Sequence, residues 1–251
     1  MIYFVGAGPG AQDLITVRGM RLLQEADVIV YAGSLVNRDL LAYAKKECSI
    51  YDSASMTLEE VLGVMTEADK AGKRIVRLHS GDPSLYGAIR EQMDALEKEK
   101  IEFEIVPGVS SICGAAAALK VEYTLPDVSQ TVIITRMAGR TPVPQKESIQ
   151  RLASHEATMV IFLSTGMLQE LEIQLIEGGY FPETPAAIVY KATWPDEKVL
   201  RCCVGTLHDT AKRNHIIRTA LIVVGDFLGW EYSRSRLYDP SFEHGFRKAD
   251  K

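Results

Sequence analysis

The stretch Met1-Ile2-Tyr3-Phe4-Val5-Gly6-Ala7-Gly8-Pro9-Gly10-Ala11 decides the fold. Its apolar opening reads as a strand, and the glycines that follow read as a turn whose backbone can approach a neighbour or a ligand closely. Helical periodicity then takes over. Val17, Met20, Leu22 and Leu23 form an apolar stripe, Asp13 is the predicted N-cap, and Asp27 lies beyond the helix end. Strand, glycine turn and helix in that order open a βαβ unit, so an α/β chain with a parallel sheet is expected.

The pattern continues outward. Val28–Tyr31, Ile75–His79 and Phe103–Val106 are further strand-like runs separated by helical stretches. One of those helices is predicted from Thr57, with Glu60 completing a capping box, to a stop at Gly72. An alanine-rich helix is expected over Ser110 to Leu119. Pro126 and Asp127 break both periodicities, which marks 121–129 as a linker. A second set of strands follows at Thr131–Thr135, Thr158–Leu163, Ala186–Lys191, Val199–Val204 and Ala220–Val224. Helices are expected around Ile149–Ala153, Leu168–Glu177 and Leu207–Lys212. The short turn Thr193-Trp194-Pro195-Asp196-Glu197 favours an antiparallel pair, so the second sheet should be mixed. The division is therefore 1–120, 130–229 and a polar, basic tail over 230–251.

Composition bounds the function. The chain has 251 residues, 47% of them apolar and 24% charged, values of an ordinary globular protein. No apolar run approaches the roughly 18 residues of a bilayer crossing. Met1 leads straight into the strand without a basic leader, so a cytoplasmic protein is expected, with no membrane partner. The 28 Lys and Arg against 33 Asp and Glu give a net charge of −5, which disfavours nucleic acid as a partner. The four cysteines form no C-x-x-C pair, and the five histidines include only His208 and His215 at a spacing that could share a helix face. No bound metal is predicted.

Three turns carry the functional signal. Gly6-Ala7-Gly8-Pro9-Gly10-Ala11 fits G-x-G-x-x-A, the dinucleotide fingerprint. Pro9, however, removes an amide from the loop that should cradle a pyrophosphate, and the end of the Val28–Tyr31 strand offers no carboxylate for a ribose hydroxyl. The turn is thus compatible with a dinucleotide, with a purely structural role, or with a different nucleoside ligand. His79-Ser80-Gly81-Asp82-Pro83-Ser84-Leu85-Tyr86-Gly87 follows a second strand, and Pro107-Gly108-Val109-Ser110-Ser111 a third. Parallel strands send such loops to one edge of the sheet, where α/β proteins bind ligands.

The combination of Gly6-x-Gly8-Pro9-Gly10-x-x-x-Leu14-x-Thr16, Gly81-Asp82-Pro83 and Pro107-Gly108-Val109-Ser110-Ser111 resembles the tetrapyrrole methyltransferases over almost the whole chain. Three further strings are similar to the branch of that family acting at C-11 of precorrin-4 or cobalt-precorrin-4 in cobalamin biosynthesis. They are Tyr31-Ala32-Gly33-Ser34-Leu35-Val36, Thr135-Arg136-x-x-Gly139-Arg140-Thr141-Pro142-Val143-Pro144 and Tyr190-Lys191-Ala192-Thr193-Trp194-Pro195-Asp196-Glu197-Lys198. The resemblance implies two α/β domains with a cleft between them, a homodimer, and S-adenosylmethionine as methyl donor, leaving S-adenosylhomocysteine. It places cofactor contacts at Pro9, Ser80, Gly81, Asp82, Leu85, Ser110, Ser111, Leu163 and Ala192. Ser111 and Leu163 differ from residues found in relatives.

Transfer of a methyl group from a sulfonium to an electron-rich ring carbon needs alignment more than it needs a base, so no catalytic residue is assigned. The carboxylates of a tetrapyrrole would be met by placed cations. Arg136, Arg140 and Lys191 flank predicted strand ends and are the candidates, with Tyr86 and Trp194 as apolar walls. Two other readings are a nicotinamide-dependent oxidoreductase built on the glycine turn and a sibling methyltransferase acting on another tetrapyrrole.

Overall fold

The computed structural model describes residues 1–248, the side chain of Ser34 excepted; residues 249–251 of the predicted tail lie outside the described residues. The chain divides into two compact units, one of residues 1–115 and 191–197, the other of 116–190 and 198–251. Both differ from the expected division. The break falls inside a helix rather than in the 121–129 segment, because that helix is continuous across it. The turn 191–197 between two strands of the second sheet belongs to the first unit.

The first unit holds a five-stranded parallel sheet. Its strands are β1 (Ile2–Gly6), β2 (Val28–Tyr31), β3 (Ser49–Asp52), β4 (Ile75–His79) and β5 (Phe103–Val106), in the order β3-β2-β4-β1-β5. Alternate residues of a strand face opposite sides, and the core splits accordingly. Val5, Ile29, Tyr31, Val76 and Leu78 pack with Leu23 of α1 (Val17–Glu25) and with Leu40 on one side. Ile2, Phe4, Val28, Val30 and Ile75 pack on the other with α2 (Leu58–Lys70) and α3 (Arg90–Lys98). A sheet covered on both faces explains why β4 is buried at all five positions.

Two helix starts test the reading of caps. The α2 box forms as predicted: Thr57 Oγ1 accepts the Glu60 amide and the Glu60 carboxylate accepts the Thr57 amide. For α1 the expected cap is corrected. Asp13 sits in a single 3₁₀ turn, Gln12–Leu14, and Thr16 caps α1 by accepting the Gly19 amide at 3.1 Å. A hydroxyl one turn later satisfies an orphan amide of the helix that does form, a contribution of about 1 kcal/mol. Gly19 itself lets α1 lie tightly on β1, for a Cβ there would be 3.0 Å from Val5 Cγ1.

The second unit holds a mixed sheet of β6 (Val132–Arg136), β7 (Thr158–Phe162), β8 (Pro185–Tyr190), β9 (Lys198–Cys203) and β10 (Ala220–Val224), in the order β6-β7-β10-β8-β9. β6 and β7 run parallel, whereas β10 is antiparallel to β7 and β8, and β8 is antiparallel to β9. Helices α5 (Ile149–Ala153), α6 (Leu168–Gly178) and α7 (Leu207–Arg213) bury Leu171, Leu175 and Leu207 against Ile161, Ile188 and Ile222. Each such side chain contributes about 1.5–3 kcal/mol. The alanine-rich helix α4 spans Ser111–Leu119. Three predicted strands end one residue early, the third because Val204 opens a 3₁₀ turn. Leu163 and Lys191 have φ of 52° and 47°, which takes each out of its ladder. Among the described residues no helix is long and apolar enough to cross a membrane.

Candidate functional site

In the first sheet β4, β1 and β5 are adjacent, so the turns that leave their C-terminal ends must share an edge. They interlock through backbone. The Ala7 amide donates to the His79 carbonyl at 2.7 Å, and Gly8 and Gly81 exchange hydrogen bonds of 3.3 and 2.8 Å across an isolated bridge. The glycines are required by this closeness: a Cβ on Gly6 would stand 2.5 Å from Gly108 Cα and 2.6 Å from the Gly81 oxygen. Gly8 and Gly81 also hold φ of 81° and 61°.

Asp82 ties the second turn to the third. Its Oδ2 accepts the Gly108 amide at 2.8 Å, while Oδ1 accepts the Ser84 amide at 2.9 Å and the Ser84 hydroxyl. A carboxylate offers about four acceptor positions, so one remains for a ligand. Partial burial pushes the Asp82 carboxyl up, but the hydrogen bonds from Ser84 and the Gly108 amide outweigh it and hold the group below its ordinary value. Asp82 is therefore anionic at neutral pH.

The glycine turn is pinned by residues from elsewhere in the same unit. Trp194 Nε1 donates to the Pro9 carbonyl at 3.0 Å, Thr193 Oγ1 accepts the Ala11 amide at 3.0 Å, and Asn37 Nδ2 donates to the Gly10 carbonyl at 2.8 Å. This is why 191–197 is counted with the first unit. Ala192 is buried within the segment, between Lys191 and Thr193, which both have positive φ. Lys191 Nζ is paired with Asp196 at 2.6 Å and lies 5.4 Å from the Trp194 ring centre.

The turns therefore bring together Pro9, Ser80, Gly81, Asp82, Leu85, Ser110 and Ser111, with Ala192 and Trp194 beside the first turn through the strap. Ser110 caps α4, its Oγ accepting the Ile112 amide at 3.3 Å. Tyr86 is 44% exposed and left-handed, with φ of 57°. Its side chain is thus available to solvent rather than committed to the core. Sequence reasoning passed over Thr193 and Asn37 as anchors of the glycine turn. Thr193 lies within the Tyr190–Lys198 string, and Asn37 carries no local signal.

Arg136, Arg140 and Leu163 belong to the second unit. β6 and β7 place Arg136 opposite Phe162, so Leu163 and the loop after Arg136 leave one sheet edge together. Ser164 joins them, its Oγ accepting the Met137 amide at 3.0 Å. Leu163 is 63% exposed in a left-handed conformation, a combination that folding alone does not favour. Arg136 is spent largely on its own loop: Nη1 donates to the carbonyls of Met137 and Thr141 at 3.1 and 3.2 Å, and Nη2 to that of Pro142 at 2.8 Å. Arg140 is exposed at the loop's end.

The donor set discriminates between ligands. In the glycine turn the amides of Ala7, Gly8 and Ala11 are taken and Pro9 has none, which leaves little to cradle a pyrophosphate. No Lys or Arg occurs in the three turns, while an anionic carboxylate does. Such an edge repels a pyrophosphate and suits a ligand that carries positive charge beside a neutral nucleoside.

The profile of the Tetrapyrrole (Corrin/Porphyrin) Methylases matches residues 1–208, and the chain belongs to that family. Among its relatives is the cobalt-precorrin-4 C(11)-methyltransferase of Methanocaldococcus jannaschii, 56% identical over all of this chain and 97% of that protein. The X-ray structure of a cobalt precorrin-4 methyltransferase of cobalamin biosynthesis superposes with a TM-score of 0.89 at 48% identity, covering 91% of this chain and 96% of the other. The uroporphyrin-III C-methyltransferase of Thermus thermophilus, solved in complex with S-adenosylhomocysteine, superposes at 0.73 with 25% identity, covering 90% and 92%.

Proposed function

We propose that the protein transfers a methyl group from S-adenosylmethionine to C-11 of precorrin-4 or cobalt-precorrin-4. The observation that carries this reading is the interlock of the three turns around an anionic Asp82 with no basic side chain among them. A sulfonium-bearing nucleoside fits such an edge, and a nicotinamide dinucleotide does not. The identity to cobalt-precorrin-4 methyltransferases over the whole chain supports the choice of macrocycle.

When bound, S-adenosylmethionine supplies an electrophilic methyl whose bonding pair returns to sulfur as the new carbon–carbon bond forms. The residues of this chain would hold the reactants in line, an effect worth about 7–11 kcal/mol in favourable cases. Gly81, Gly108 and the Pro9 turn fix the backbone against which the nucleoside would lie, and Asp82 keeps the turns in register with one acceptor position left over for a ligand. Leu85, Ala192 and the hydroxyls of Ser80, Ser110 and Ser111 would complete the contacts within the first unit. A strongly paired sulfonium would be stabilised in the ground state and react more slowly; the three hydrogen bonds that Asp82 already accepts temper its field. We assign a substrate carboxylate to Arg140, exposed at the end of a loop that Arg136 shapes through its own hydrogen bonds. We read the assembly as a cytoplasmic homodimer, to be checked by sedimentation.

The deciding experiment incubates the purified protein with methyl-labelled S-adenosylmethionine and precorrin-4 or cobalt-precorrin-4, then locates the label by NMR. Label at C-11 is the expected result. Label at another ring position would make this a sibling methyltransferase, and no transfer would overturn the reading.

A further inference from the structure

Arg77 is a buried cation without a counter-charge. It lies mid-strand in β4, pointing with Ile75 to the face covered by α2 and α3, and is only 6% exposed. Its Nε donates to Gln92 Oε1 at 3.1 Å and its Nη1 to the Val30 carbonyl at 3.1 Å; Gln92 is held in turn by the Ala88 carbonyl at 2.9 Å. Both partners of the guanidinium are neutral, and none of the ion pairs among the described residues involves Arg77. Burial lowers its pKa only to about 10, so the charge persists at neutral pH. An unpaired buried charge is costly and selects for a partner.

The space beside it can accept one. A cavity of about 180 Å³ is lined by Arg77, Ser53, Thr57, Gly87, Ala88 and Glu91, room for several water-sized groups. One wall, Gly87–Ala88, continues directly from the turn that holds Asp82. It is a rigid wall: Tyr86 and Ala88 are both left-handed, and Gly87 packs so closely on the Pro83 carbonyl that no side chain fits. We propose that this cavity is a carboxylate-binding subsite in which Arg77 receives an acidic side arm of the tetrapyrrole, next to the donor-binding turns. The identity of the arm's owner rests on the function proposed above; the carboxylate chemistry does not. The guanidinium matches a singly charged planar carboxylate, and Glu91 on the rim opposes a doubly charged phosphate.

The test uses the full chain labelled with ¹⁵N-arginine, the Arg77 Nε–H signal being assigned by its loss in Arg77→Lys. Titration with sodium propionate should move that signal saturably, whereas sodium chloride at matched ionic strength should not and sodium phosphate should do so more weakly. No saturable shift, or a preference for phosphate, overturns the proposal. A second arm leaves Arg77 in place. Ala88→Asp, at an exposed position whose left-handed backbone aspartate tolerates, should raise KM for the tetrapyrrole about tenfold, equivalent to ~1.4 kcal/mol, with S-adenosylhomocysteine affinity unchanged. Arg77→Met should do the same, with partial rescue in Arg77→Lys. Wild-type KM in both Ala88→Asp and Arg77→Met would overturn the subsite. If the wild type methylates no tetrapyrrole, the function proposed above fails and the propionate titration still decides the site.

Discussion

The Trp194 indole donates its N–H to the Pro9 carbonyl at 3.0 Å, and its ring fills the space that a side chain on Gly10 would need. Gly10, an unspecified position of the dinucleotide fingerprint, is thus a glycine because an indole lies on it. The turn is held from outside by Trp194 and Asn37, which donate to its Pro9 and Gly10 carbonyls, and by Thr193, which accepts its Ala11 amide, so its shape is fixed.

Gly10→Ala should therefore be more damaging than its size suggests. The methyl group would displace the indole and break the Pro9 contact, at a cost of about 1–3 kcal/mol from overpacking. Trp194→Phe keeps much of the ring and loses only the donor, which leaves one carbonyl unpaired at about 1 kcal/mol. Urea unfolding should rank Gly10→Ala below Trp194→Phe, and calorimetry should show weaker S-adenosylhomocysteine binding in the same order. Equal behaviour would mean that the indole does not hold the turn.

Asp82→Asn tests charge separately from shape. One carboxylate oxygen becomes an NH₂ group facing either the Gly108 or the Ser84 amide, so some stability is lost, about 1–3 kcal/mol. The loss of negative charge should weaken S-adenosylmethionine more than S-adenosylhomocysteine, because only the former carries a sulfonium. Isothermal titration with both ligands should show that ratio fall several-fold, partial exposure of Asp82 having screened a larger effect. An unchanged ratio would remove Asp82 from any electrostatic role.

The parts of this architecture visible in the sequence are those written in local pattern. β1, β2, β4 and β5 read as strands because each is a short, mostly β-branched or aromatic run between helical stretches, with Arg77, His79 and Glu104 as its polar exceptions; the box at Thr57 and Glu60 is a three-residue signal. The edge strand β3, Ser49–Asp52, was missed because none of its residues is buried. The convergence of three turns could be expected from parallel topology. What no local pattern carries is the pinning of one turn by Asn37 and by a strap some 180 residues on, the pairing of Lys191 with Asp196, or the use of Arg136 on its own loop. Those depend on which elements become neighbours, and a cation at a strand end looks the same in sequence whether it faces a ligand or a carbonyl.

Arg136 and Arg140 should accordingly separate. Arg136→Ala removes three hydrogen bonds to loop carbonyls and should lower stability by about 1–3 kcal/mol. Arg140→Ala removes an exposed side chain and should change stability by no more than about 0.5 kcal/mol while raising KM for the tetrapyrrole. Thermal unfolding together with steady-state kinetics would expose the difference. Identical profiles for the two variants would assign them the same role.

His79 supplies a stability effect with a defined pH window. Its ring stacks on Phe4 with centroids 6.1 Å apart, and Nε2 is buried without a hydrogen-bond partner. Burial, with a smaller contribution from the nearby Arg77 charge, lowers its pKa to about 3. The folded protein thus keeps the imidazole neutral where the unfolded chain begins to protonate it, near pH 6.5. Between those values the unfolded state binds more protons, so stability is full above pH 6.5 and falls as the pH drops towards 3, by up to about 1.4 kcal/mol per unit. Asp27, Asp52 and Asp82 have carboxyl values below the ordinary 3.8, so their contributions are lost only at lower pH. Urea unfolding of the wild type at pH 6.5 and 5 should therefore show a drop of roughly 2 kcal/mol attributable to His79. His79→Phe preserves an aromatic ring against Phe4 and cannot titrate, so its drop should be smaller by that amount. Parallel losses in the two proteins would show that the imidazole takes up its proton without unfolding.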